Sequence, residues 1–194
     1  MYSFLTVWQN QPIIRVRKRQ IFFINISAGV GGKCSMEGKR LTSYAMEELE
    51  CPKCGHKHSL KKYKVINVTE KAKLKEEIMK NRLYQFSCEE CEYMAPLTYD
   101  SLYVDSRKNI MIYMAPVMNA EIKVEIAELE QEKGIDKRLV DNINDLKEKI
   151  MIVDNHLDDR VIEIIKIMYL DQIKKEMEDD TLLNILFDYN RDNY

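Results

Sequence analysis

Glycine and proline are scarce in this chain, six and four in 194 residues, which excludes collagen-like and linker-dominated architecture. There is one tryptophan, and no apolar run reaches the roughly 18 residues that a membrane helix needs. Acids are missing altogether from the first 35 residues, where Arg15, Arg17, Lys18, Arg19 and Lys33 are the only charges and after which Glu37 is the first carboxylate. What is present suits a folded, soluble protein: 45% hydrophobic and 32% charged residues, enough for one domain with a real core or for two small ones. The net charge of −2 is an average over that basic leader and residues 36–194, where 25 bases face 32 acids.

Three explanations of residues 1–35 stay open. A secretory signal fits poorly, because its charged part begins only at Arg15 and Gly32-Lys33-Cys34 puts a lysine where cleavage needs a small residue. A basic arm toward nucleic acid or anionic lipid would rest on one cluster, Arg15 to Arg19. The third is translated upstream sequence: Gly31-Gly32, three codons before Met36, is what a ribosome-binding sequence encodes in one frame, so Met36 would be the start and the leader disordered or unmade.

Downstream, residues 46–117 read as short β-rich segments around a single helix. Cys51-Pro52-Lys53-Cys54-Gly55 is a turn, and His58 to Val68 is extended, with Tyr63, Val65 and Ile66 supplying β-propensity. Residues 70–82 predict a helix, with Thr69 as N-cap and Leu74 and Ile78 on one face. Leu83 to Ser87 is expected as a strand, and Leu102 to Val104 with Ile110 to Met114 as a hairpin. Residues 118–194 carry 20 acids against 11 bases and helical spacing. They predict a solvated helix from Glu121 to Lys133 ended by Gly134, an extended piece at Arg138 to Val140, and a helix near Ile143 to Ile150. A long helix from Leu157 to Met177 follows, with Val161, Ile164, Ile165 and Met168 as an apolar stripe that Ile162, Tyr169 and Ile173 widen, so that burial on more than one side is expected, and then a strand within Leu182 to Tyr189. The fold class expected is α+β: a zinc-ribbon-like β domain with one inserted helix, then a mainly helical C-terminal region ending in a strand.

Four of the five cysteines form two Cys-x-x-Cys pairs, Cys51/Cys54 and Cys88/Cys91. Two tight turns brought together by strands supply two thiolates each, and zinc takes four at tetrahedral corners. A structural four-cysteine zinc site is the preferred reading, with a redox dithiol as its rival. The segment after Cys54, Gly55-His56-Lys57-His58, is a poor start for the helix that a thioredoxin-type pair requires. His56 and His58 are read as surface residues, and Cys34, in the leader, as a free thiol or absent rather than a fifth ligand. The second turn lacks Pro and Gly and sets Glu89, Glu90 and Glu92 beside an anionic centre, so these acids should face solvent.

Taken together, several motifs resemble the CpXC family, prokaryotic proteins named for Cys-Pro-x-Cys. They are E-C-P-K-C-G at Glu50 to Gly55, V-I-N-V at Val65 to Val68 and L-Y-Q-F-S-C-E-E-C at Leu83 to Cys91. M-I-Y-M-A-P at Met111 to Pro116, D-L-K-E-K-I at Asp145 to Ile150 and L-D-D-R-V-I-E-I-I-K at Leu157 to Lys166 continue the likeness. The resemblance implies a zinc-ribbon-like domain followed by a helical region, and it carries no established activity. Similar proteins often continue with further strands, so this chain is expected to be a shortened member.

For function, the preferred expectation is a cytoplasmic protein-interaction scaffold with structural zinc, whose partner is a protein and not a membrane. The alternative is a nucleic-acid-binding zinc ribbon that uses residues 53–75, where eight lysines stand against the single acid Glu70. No enzymatic activity is expected: a closed four-thiolate shell has no position for a reacting water. The set His156, Asp158, Asp159, Arg160 and Glu163 is explained by a helix N-terminus, with Arg160 pairing to Asp159 or Glu163.

Overall fold

The computed structural model describes residues 5–7, 41–176 and 185–187. In chain order the strands are β1 (Leu5–Val7), β2 (Ser43–Glu50), β3 (Lys57–Asn67), β4 (Gln85–Ser87), β5 (Met94–Pro96), β6 (Ser101–Asp105), β7 (Ile110–Met114), β8 (Asp136–Val140) and β9 (Ile185–Phe187). The helices are α1 (Lys73–Met79), α2 (Ala120–Glu130), α3 (Ile143–Asp154) and α4 (Asp159–Glu176). The fold is therefore α+β. The chain divides into two compact units, residues 23–146 and residues 1–22 with 147–194. Cys34 and the basic leader other than β1 lie outside the described residues.

The first unit is organised by a five-stranded mixed sheet in the order β2-β3-β6-β7-β8. Its hairpins β2–β3 and β6–β7 are antiparallel, whereas β3–β6 and β7–β8 are parallel. Parallel neighbours need a crossover, and α2 supplies one between β7 and β8. The sheet thus runs across residue 117, where the composition changes. Strands β6 and β7 are buried along their whole length, which is why their text, SLYVD and IMIYM, is nearly continuous rather than alternating. One face packs Leu102, Val104, Met111 and Tyr113 against Ile122 and Leu129 of α2. α2 therefore buries Ile122 and Leu129 while most of its residues face solvent, as expected of a solvated helix. Asn119 caps it, its side chain accepting from the amide of Ile122 at 2.8 Å, and the Lys137 ammonium caps the carbonyls of Glu130 and Glu132 at its other end.

α1 begins at Lys73 after Ala72, and Thr69 does not cap it. The Thr69 hydroxyl accepts from the amide of Ser106, while Asn67 Oδ1 takes the amides of Thr69 and Glu70, so an Asn turn precedes the helix. Leu74 and Ile78 are buried as their spacing predicts.

In the second unit β1 pairs antiparallel with β9, Leu5 opposite Phe187. The long helix α4 forms, but its apolar stripe is not buried: Val161, Ile164, Ile165 and Met168 are 50%, 57%, 38% and 66% exposed. Of the expected apolar set Ile162 is buried, and it shares its face with Lys166, four residues on. A lysine is tolerated there because both carboxylate oxygens of Glu148 accept from its ammonium at 2.9 Å and Glu163 accepts at 3.2 Å. Lys149 of α3 pairs with Asp159 and Glu163 in turn, which draws the Glu163 carboxyl below its ordinary range despite its burial. Residues 159–168 thus set Glu163 and Lys166 beside Ile162 on the buried side, a polar pair that periodicity alone does not foresee.

Candidate metal centre

Each cysteine pair stands at the tip of an antiparallel hairpin. Cys51 to His56 joins β2 to β3, and Cys88 to Tyr93 joins β4 to β5. The two tips share one backbone frame. In the first, the Gly55 amide donates to the Cys51 carbonyl at 2.8 Å and the Cys51 amide to the His56 carbonyl at 2.8 Å. In the second, Glu92 donates to Cys88 at 3.0 Å and Cys88 to Tyr93 at 2.8 Å. Gly55 turns the chain with a φ of +73°, and Glu92 does the same at +56°. Glu89, Glu90 and Glu92 are exposed, as an anionic centre requires.

The tips meet through their sulfurs. Cys51 Sγ lies 3.6 Å from Cys91 Sγ, Cys54 Sγ lies 3.6 Å from Cys88 Sγ, and all four fall within 4.8 Å of one another. A tetrahedral ion with Zn–S bonds of about 2.3 Å needs sulfurs about 3.8 Å apart, so the donor set fits a metal ion. The same spacing is far beyond a disulfide bond, and all four thiols are free. Cys51 and Cys88 are buried with Phe86, and Leu49, Leu60, Tyr93 and Leu97 pack around them. An apolar shell of this kind keeps water from Cys51 and Cys88, whereas Cys54 is exposed and Cys91 half-buried.

The electrostatics of the four thiols are such that a cation could be held there. Burial alone would raise the Cys51 thiol, but the amides of Cys54 and Lys53 and the thiols of Cys54 and Cys91 bring its pKa down to about 7. The His56 amide likewise favours a Cys54 thiolate, yet loss of water and the thiols of Cys91, Cys88 and Cys51 push Cys54 up to about 12. One thiolate is welcome and the next is resisted, an opposition that a divalent cation removes.

His58 is not a surface residue. It is half-buried, its ring meets Phe86 edge-on at 5.3 Å, and its Nε2 lies 3.2 Å from Cys88 Sγ. The alternation of β3 was the available signal, since His58 and Leu60 point to one side and both reach the cysteine cluster. His56 is exposed.

The lysines of residues 53–75 are largely engaged. Lys62 pairs with Glu47, Lys64 with Asp100 and Lys71 with Glu70, while Lys61 lies over the Tyr44 ring at 4.3 Å and Lys53 donates to the Cys91 carbonyl at 3.4 Å. The polar set at the start of α4 does not converge on one point. Arg160 binds Asp158, whose carboxylate accepts both the Arg160 amide and its guanidinium, so the side chain folds back on its own turn. That chelate holds Asp158 at about 2.

Comparison with known proteins gives one family. The model of that family, described as CpXC protein, matches residues 49–166, which includes all four cysteines. No curated protein and no solved structure matches the chain.

Proposed function

The chain belongs to the CpXC family, and from that premise we propose that it is a protein-interaction scaffold whose β-rich unit is held by a structural zinc ion at Cys51, Cys54, Cys88 and Cys91. The observation that carries the metal assignment is the mutual approach of four free sulfurs within 4.8 Å at two hairpin tips. Paired hairpin tips also support a zinc-ribbon-like description of residues 46–117. Four thiolates in tetrahedral geometry select zinc or iron among common metals, and thiolates persist in a reducing compartment such as the cytoplasm. No helix among the described residues is long and apolar enough to cross a membrane. We assign the centre no catalytic role, since four protein ligands close the shell.

The scaffold reading is supported by α4, whose exposed Val161, Ile164, Ile165 and Met168 recur at the spacing of a helix-packing seam. This seam sits in a region of 20 acids and 11 bases. The matching partner is an amphipathic protein segment with an apolar stripe flanked by Lys or Arg. A nucleic-acid-binding ribbon is the second reading, and the pairing of Lys62, Lys64 and Lys71 with acids counts against it.

Metal analysis of the natively purified chain tests the centre: one zinc per chain is expected, and iron or no metal overturns the assignment. For the seam, Ile164→Glu with Met168→Glu should abolish binding of a basic amphipathic partner at unchanged circular dichroism, and wild-type binding should weaken with salt. A partner that survives both changes overturns the docking surface.

A further inference from the structure

We propose that His58 is a positioning residue for the thiolate cluster, its Nε2–H donating a hydrogen bond to Cys88 Sγ. This rests on the reading that the four cysteines hold a metal. The contact is 3.2 Å from Nε2 to Sγ, within the range of a hydrogen bond to sulfur. A metal-bound thiolate has no proton to give, so the imidazole must be the donor and Nε2 must carry the hydrogen. The ring is not free to turn away. It is half-buried, braced edge-on by Phe86 at 5.3 Å and by His56 at 4.8 Å, and its backbone is fixed in β3 opposite Leu49 of β2.

The role follows from what the other sulfurs receive. Cys51 is served by the amides of Lys53 and Cys54, Cys54 by that of His56 and Cys91 by that of Tyr93. Those donors belong to the turn that carries each sulfur. His58 instead reaches from the strand leaving the first tip to a sulfur on the second, so its bond spreads the charge of Cys88 and also ties the two tips together through the ligand. Hydrogen bonds of this kind around a metal's ligands change metal affinity by about 10-fold to 100-fold.

Cobalt(II) titration of the full chain tests this, because thiolate-to-cobalt absorption responds to hydrogen bonding at sulfur. His58→Phe keeps a ring between Phe86 and His56 but removes the donor, and His58→Gln keeps an N–H. The wild type should take up one cobalt with the spectrum of four thiolates. His58→Phe should shift the charge-transfer band to lower energy and hand its metal to a chelator about 10-fold faster, with His58→Gln restoring much of both. Identical spectra and release rates for wild type and His58→Phe would overturn the role of His58 alone. A wild-type spectrum of three thiolates and one imidazole would make His58 a ligand and overturn it too. No cobalt uptake by the wild type would overturn the four-cysteine reading on which it rests. Should His58→Phe fail to fold, nuclear magnetic resonance of the unaltered chain loaded with cadmium-113 decides: a slowly exchanging Nε2 proton coupled to the metal is expected, and an unprotonated Nε2 overturns the proposal.

Discussion

In the first cysteine turn a proline follows the leading ligand and Gly55 turns the chain at φ +73°; in the second, Glu89 follows the ligand and Glu92 turns the chain at +56°. The hydrogen bonds are nevertheless the same pair, from residues four and five places apart. A side chain in the left-handed region costs roughly 1–2 kcal/mol, and glycine escapes that cost. The second turn therefore keeps its frame against its own local preference. What holds it is the packing of Phe86 and Cys88 beneath and the meeting of the four sulfurs above. The first turn is shaped by its residues, and the second by what it is attached to.

The largest test of that contrast is removal of one ligand from each turn. Cys51→Ser and Cys88→Ser should both lose the metal and the cooperative melting of the β-rich unit, since structural zinc contributes about 10–16 kcal/mol of apparent binding energy. Scanning calorimetry with metal analysis checks this. The two variants should fail alike, because a tetrahedral centre does not distinguish a well-formed turn from a strained one. If Cys88→Ser kept its metal and melting temperature while Cys51→Ser did not, the second turn would be no part of the staple.

The same contrast marks what could be read from sequence. Paired spacing was enough to single out Cys51, Cys54, Cys88 and Cys91, which the fold brings into one cluster that could hold a metal ion, because two cysteines at a hairpin tip are a local arrangement and leave a local trace. The β6–β7 hairpin and the buried Leu74 and Ile78 were legible for the same reason. Parallel pairing of β3 with β6 and of β7 with β8 left none, since it joins segments separated by whole elements. His58 was missed because its partner lies 30 residues away, on the other tip. Of the α4 stripe Ile162 is buried while Val161, Ile164, Ile165 and Met168 are exposed, because the buried face also takes Lys166 bound to Glu148, and hydrophobicity cannot report an ion pair in advance.

A smaller test exchanges the turning residues. Gly55→Ala puts a side chain into the left-handed region and brings its Cβ to 3.5 Å from Glu50 Oε1, so it should cost about 1–2 kcal/mol through backbone strain. Glu92→Gly should act in the opposite direction, by about 0.5–1 kcal/mol, because relief of that strain is partly offset by the greater freedom of glycine in the unfolded chain. Denaturant midpoints of the metal-loaded chain measure both. A destabilised Glu92→Gly would mean that the Glu92 side chain contributes something its exposure does not suggest.

The smallest effect is electrostatic and has a mirror form. Lys53 and Glu90 occupy equivalent places, each just before the second cysteine of its turn, and both are exposed. Four thiolates around a divalent ion leave a net charge of −2, so a cation beside the centre favours metal retention and an anion opposes it. Lys53 leans across to the carbonyl of Cys91, which brings its charge over the second turn. Lys53→Gln should therefore weaken metal binding and Glu90→Gln should strengthen it, each by no more than about 0.5 kcal/mol, the usual worth of a surface charge in water. Competition with a chelator at low salt resolves shifts of about 2-fold in affinity, which is what 0.5 kcal/mol amounts to. In 1 M salt, where charges are screened beyond about 3 Å, both shifts should vanish while the differences at Gly55 and Glu92 remain. Backbone strain does not respond to ionic strength, so the salt series separates the two ways in which the turns differ.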